Sequence, residues 1–273
     1  MDWGYVFSNT IVYGIIALCL SGFFSYGKIF NLSLWWYFVA LAYLLHDIMV
    51  GWVSRTSFAM FFFILGSYFL INRVLLRFFE HEKQRHHVWL VMTLWLGAVL
   101  ENVVNYVYGP NSVSFSLFHM PVEGWLLLFV ILLGIFYYIF GYTTLWIIFK
   151  WIFEKASIIR GLGIDIGSLL HKYFLFLLLL IALAVFLTLN DSAIRSSDGL
   201  FYLIKGIGIM ILVGIENKEY MLFGALFYVL LEYLFFITLW FPIAYKESLV
   251  LVIILVVLMV KPEGLFGRRK RNL

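Results

Sequence analysis

The feature that most constrains this chain is a succession of apolar stretches, each about 20 residues long and nearly free of charge. They fall near residues 4–24, 34–52, 57–77, 88–108, 122–149, 169–189, 199–215, 220–240 and 243–260. A stretch of that length crosses the hydrocarbon core of a bilayer as a helix. Only helices and closed barrels satisfy every backbone polar group in lipid, and the alternating pattern of a barrel strand is absent. The expected fold is therefore all-α, a polytopic transmembrane helix bundle of about 8–9 spans. Hydrophobic residues make up 64% of the 273 residues and charged residues 12%. A soluble domain is nearer half apolar and a quarter charged. No polar stretch is long enough for a separate soluble domain, so a single membrane domain over residues 1–273 is expected. The 122–149 stretch is overlong and predicts a tilted or protruding helix. The 199–215 stretch is glycine-rich and carries Lys205, which predicts a short or broken helix.

Charge sets the orientation. With the C-terminus in the cytoplasm, inside loops hold Lys28, Arg77, Lys83, Arg85, Lys155, Arg160, Lys218, Lys261, Arg268, Arg269, Lys270 and Arg271. Outside loops then hold only Arg55 and Arg195. The positive-inside rule favours this arrangement, and nine spans put the N-terminus outside. The excess of basic residues thus reports membrane orientation, and no nucleic-acid partner is expected. The start, MDWGYV, lacks a basic n-region, so no cleaved leader is expected. The single cysteine, Cys19, excludes an internal disulfide and cysteine-based metal sites.

Few polar residues interrupt the apolar runs. Thr93, Gly97, Glu101 and Asn105 recur every four residues and form one stripe along a helix, with Asn102 beside it. A carboxyl group inside a span costs roughly 2.5–3.5 kcal/mol on insertion scales and turns to the bundle interior or to water. The stripe fits a solute path, and equally fits helix–helix contact through a small residue and hydrogen-bonding side chains. His46 and Asp47 fit either a polar contact in such a path or an interfacial pair that snorkels. Lys205 and Glu232 are each awkward in lipid; a mutual ion pair would relieve both, and Glu232 could equally hydrogen-bond elsewhere. His81, His86 and His87, with Glu80 and Glu82, lie in a loop where solvated side chains are the expectation and no metal site is assigned. The segment 154–165, EKASIIRGLGID, reads as a short helix ended by Gly161 and Gly163. By itself it fits either a docking element on a partner or an ordinary connecting loop.

The C-terminal run, SLVLVIILVVLMV followed by KPEGLFGRRKRNL, resembles the end of the permease subunits of branched-chain amino acid ABC importers. Further residues sit at matching spacings in the order of that family. They are Tyr13, Ala17, Leu18 and Asn31; then Thr93, Asn102, Gly109 and Pro110; then Lys205, Gly214, Gly224, Glu232, Tyr245 and Lys246. Where the family has Gly-Gly-Leu-Gly-Ser, this chain has Val213, Gly214, Ile215, Glu216 and Asn217. The resemblance implies a transmembrane permease in a bacterial-type inner membrane, carrying a branched-chain or other apolar amino acid. Thr93, Gly97, Glu101, Asn102, Asn105 and Asp47 would line the path. Glu154, Ile158, Ile159, Arg160, Gly161, Gly163 and Asp165 would couple the chain to an ATPase. The implied partners are ABC ATPase subunits, a second permease subunit, an external solute-binding protein and membrane lipid. No P-loop of the form GxxxxGK[ST] occurs, so ATP would be hydrolysed by the partner subunits, with no catalytic residue or cofactor in this chain. The alternative class is a polytopic membrane enzyme acting on lipid or lipid-linked substrates, using Glu101, His46 and Asp47, or the 81–87 histidines.

Overall fold

A computed structural model describes residues 3–27, 34–51, 55, 57–67, 86–115, 120–142, 166–215, 217–238, 246–261 and 264–265. The helices are α1 (Trp3–Gly27), α2 (Leu34–Met49), α3 (Ser57–Ser67), α4 (His86–Tyr108) and α5 (Val122–Tyr142). They continue as α6 (Ile166–Asp191), α7 (Asp198–Val213), a 3-10 turn (Lys218–Tyr220), α8 (Met221–Thr238) and α9 (Lys246–Val260). Among the described residues there is no strand, only an isolated antiparallel bridge between Val113 and Ile194.

Three helical segments are long and apolar enough to cross a membrane: Trp3–Gly22, Val122–Ile139 and His171–Asp191. The pair Asp198–Val213 and Lys218–Leu234, which turns by 117° at its break, counts as a fourth if taken as one span. Helices α2 and α3 are apolar but shorter. One reason is local. The apolar run of α2 continues past residue 50, but Gly51 adopts φ +74° and its N–H bonds back to the Ile48 carbonyl, which closes the helix. The expected 57–77 span is described only to residue 67.

The described chain packs as two compact units, interleaved along the sequence. One comprises residues 1–22, 119–146 and 204–273; the other comprises 23–118 and 147–203. In the first unit, α1 touches both arms of the bent pair. A Cβ on Gly14 would lie 2.6 Å from a Leu222 methyl, and one on Gly206 would lie 2.7 Å from Ile16. Without a hydrophobic force between helices in lipid, close approach at small residues supplies much of the packing. Phe7 of α1 meets Phe129 of α5 at 5.8 Å between ring centroids. After α9 the chain returns to the elbow, where the Leu265 N–H donates to the Leu212 carbonyl at 2.7 Å. Gly264 there has φ +83° and lies so close to Gly214 that a Cβ would sit 2.5 Å from the Gly214 nitrogen.

In the second unit α2 packs against α4 and α6. A Cβ on Gly97 of α4 would meet the Trp35 indole nitrogen at 2.0 Å, and one on Gly199 would meet the Trp35 carbonyl oxygen at 2.9 Å. Helix α4 ends at Gly109 (φ +75°), whose N–H bonds to the Asn105 carbonyl at 2.8 Å, and Pro110 prevents its continuation. The loop that follows is held to the α6–α7 connection by the Val113–Ile194 bridge and by the Phe115 N–H on the Leu189 carbonyl.

Gly264→Ala is expected to lower stability by about 1–3 kcal/mol, because the added methyl meets backbone and the left-handed φ is strained. Gly134→Ala, where a Cβ meets nothing within 4 Å, should be neutral or slightly stabilising. Denaturant unfolding of the detergent-solubilised protein compares the two.

Candidate functional site

Two polar clusters stand out, one in each unit. In the first unit Lys205 of α7 and Glu232 of α8 form an ion pair, Nζ to Oε1, at 3.3 Å. Their side chains are 12% and 3% exposed, so both charges are withdrawn from solvent. The Lys205 ammonium also donates to the Tyr13 hydroxyl at 3.1 Å and lies 4.9 Å from the centroid of that ring. Tyr13 is packed edge-on against Tyr228 of α8, with centroids 6.3 Å apart. One cation is thus met by a carboxylate, a hydroxyl and an aromatic face, drawn from three helices. Of the two alternatives for Glu232, the mutual ion pair with Lys205 is the one present; the tyrosine that completes it is not legible from charge alone.

In the second unit Asp47, near the end of α2, is buried. Its Oδ2 accepts from the Ser57 hydroxyl at 2.6 Å and from the Tyr108 hydroxyl at 3.1 Å. His46 Nδ1 lies 3.7 Å from Oδ1. The carboxylate turns inward rather than snorkelling, because two hydroxyls replace the water it gives up. Tyr108 stacks obliquely on Tyr43, whose hydroxyl donates to the Asn111 carbonyl at 2.7 Å. Tyr108 lies 61 residues from Asp47 and Ser57 ten, and no helical spacing rule points to either.

The stripe on α4 divides. Thr93 is buried, Gly97 is pressed against Trp35, and Asn105 accepts a hydrogen bond from the Ser196 hydroxyl. These residues join α4 to its neighbours. Glu101 is half-buried and Asn102 is exposed, its amide donating to the Ala98 carbonyl of the preceding turn at 2.8 Å. Asp47 does not meet them through any of these contacts. Lys218, placed by sequence among the inside-loop cations, is buried in the 3-10 turn, which packs against α5 and α8. It is therefore no solvated loop charge.

Glu154, Ile158, Ile159, Arg160, Gly161, Gly163 and Asp165 lie outside the described residues, as do His81 and the 266–273 tail. Among the described residues no group of three or more His, Cys, Asp or Glu side chains is placed to hold a metal ion.

Removing one partner of the buried pair should cost about 3–5 kcal/mol, since the other charge is left alone. Lys205→Met and Glu232→Gln are each expected to show this loss in denaturant unfolding, whereas the double variant Lys205→Met/Glu232→Leu should recover most of it. A loss in the double variant equal to the sum of the Lys205→Met and Glu232→Leu single losses would mean that the pair is not coupled.

Comparison with protein-family models, with curated proteins and with solved structures returned no match to this chain.

Proposed function

We propose that this chain is a transmembrane permease subunit of an ATP-binding-cassette importer, forming part of a solute path for branched-chain or other apolar amino acids. The observation that carries the proposal is a convergence. Tyr13, Lys205 and Glu232, matched to that family at widely separated positions, meet in one buried cluster. Gly214 and Gly264, matched in the same way, meet backbone to backbone at the elbow between α7 and the 3-10 turn.

The broken pair α7/α8 adds a physical argument. Irregular backbone at membrane depth is tolerated only where protein or a water-filled cavity surrounds it, and discontinuous helices of this kind occur at the working sites of transporters. Here the break is covered by the chain that follows α9. The finer topology belongs to the same proposal: nine spans in a bacterial-type inner membrane, with the C-terminus in the cytoplasm. So do the partners, namely ATPase subunits, a second permease subunit and a solute-binding protein. The segment 154–165 is assigned to docking on the ATPase, where a short rigid element passes on a domain motion without chemistry at the joint. Of the path residues on α4, Asn102 is exposed, and Glu101 and Asn105 are half-buried.

The test is co-expression with the genes that flank this one, followed by purification through a tag on this chain. An ATPase should co-purify, and replacing Gly161 and Gly163 together by Trp should abolish that association. In vesicles loaded with such a complex, Glu101→Gln should change amino acid uptake several-fold while the complex stays intact. Absence of any bound ATPase from the wild-type preparation would overturn the proposal.

A further inference from the structure

The break between α7 and α8 leaves helix-end carbonyls that need donors, and away from water the chain itself must supply them. Gly214, at φ +100°, turns its own N–H back onto the Met210 and Ile211 carbonyls. The Asn217 N–H donates to the Gly214 carbonyl, and the Ser21 hydroxyl of α1 donates to the Ile215 carbonyl at 2.6 Å. The Leu212 carbonyl is met from beyond α9, by the Leu265 N–H at 2.7 Å. The residues that make this contact hold their own shape. The Lys261 N–H continues α9 onto the Val257 carbonyl at 2.8 Å, and the Gly264 N–H bonds to the Lys261 carbonyl at 3.0 Å. The Lys261 ammonium closes the turn on the Leu265 carbonyl at 2.6 Å. Toward the elbow, the polar hold among the described residues is one backbone hydrogen bond, with Gly264 apposed to Gly214 beside it.

We infer that Lys261, Gly264 and Leu265 form a releasable strap over the elbow. Docked, the strap supplies the donor that the last turn of α7 lacks and covers Gly214. Released, it leaves as a formed turn on the end of α9, because its internal bonds do not involve the elbow. Leu212 and Gly214 then open to solvent. The Ser21 bond and the Lys205–Glu232 pair keep α1, α7 and α8 together meanwhile, so the opening is local rather than a loss of fold. The strap thus lets the chain uncover the broken part of a helix pair without unfolding around it. The inference concerns this unit alone and does not depend on whether the chain carries a solute or binds an ATPase.

The experiment is labelling of the detergent-solubilised full chain with a charged, water-soluble maleimide. The reporter is Leu212→Cys on a Cys19→Ser background. The control is Cys19 itself in the otherwise unchanged chain, since both positions are fully buried and Cys19 lies two residues before Ser21, which touches the elbow. With the strap intact, Leu212→Cys should react about tenfold faster than Cys19, because the strap leaves the elbow from time to time. Leu265→Pro removes the donor and should raise the rate at 212 about tenfold further, with Cys19 as slow as before. Leu265→Ala keeps the donor and should leave the rate at 212 within about twofold of its parent. Equal rates at 212 and 19 with the strap intact, or no rise at 212 in Leu265→Pro, would overturn the inference. So would an equal rise at Cys19 in Leu265→Pro, which would make the strap a support of the whole unit. A rise with Leu265→Ala as large as with Leu265→Pro would overturn it as well, since the hydrogen bond would not be the hold.

Discussion

An ammonium and a carboxylate taken out of solvent together are stable only while they stay together. Lys205 and Glu232 impose that condition on α7 and α8, the two arms of the bent pair. Effective attraction rises as the surroundings become less polar, but so does the penalty for either charge alone. The Tyr13 hydroxyl and ring spread the lysine charge onto α1, so the first helix is fixed by the same contact. Three helices from distant parts of the sequence are thereby held in one register. The ion pair closes the two arms together, alongside the Gly224–Val213 contact and the Leu265 N–H bond to the Leu212 carbonyl at the turn.

Close packing makes the closure possible. Gly14 and Gly206 bring α1 against both arms, and Gly224 receives a Val213 methyl at 2.0 Å from where a Cβ would stand. The second unit uses the same device around one residue, with Trp35 lodged between Gly97 of α4 and Gly199 of α7. A bulky indole set against missing side chains fills space without strain, whereas a methyl at either glycine would meet ring or backbone. The contact carries a polar cost, since the buried Trp35 N–H has no hydrogen-bond partner among the described residues. Burial of the large ring must outweigh that cost.

The apolar runs made a helical membrane architecture legible, because little else satisfies the backbone of so many consecutive greasy residues. Span boundaries were less legible. Hydropathy does not register a glycine turning back, so the end of α2 at Gly51 is invisible to it. The stripe falls on one helix, α4, but Thr93 and Gly97 are buried there while Asn102 beside it is exposed. Neighbours such as Glu101 and Asn102 point about 100° apart on a helix, so their surroundings differ while their chemistry looks alike. Lys205 and Glu232 could be paired from sequence because each is an isolated charge with few possible mates. Asp47 could not be matched to Ser57 and Tyr108, because hydroxyl residues are common and any of them is a plausible donor. Lys218 misled for a related reason: a lysine near a helix break resembles a solvated loop cation, whereas packing of the turn against α5 and α8 buries it.

The arrangement around Asp47 also bears on the choice between transport and catalysis. In a hydrolytic triad the carboxylate orients a histidine, and the histidine takes the proton of the serine. Here Ser57 donates directly to the carboxylate, Tyr108 occupies the same oxygen, and His46 stands at 3.7 Å from the other. A carboxylate engaged in this way joins α2 to α3 and α4 rather than activating a nucleophile. The Lys205–Glu232 pair is closed in the same sense, each charge being met by the other. Among the polar residues singled out on α4, Asn102 is exposed, and Glu101 and Asn105 are half-buried.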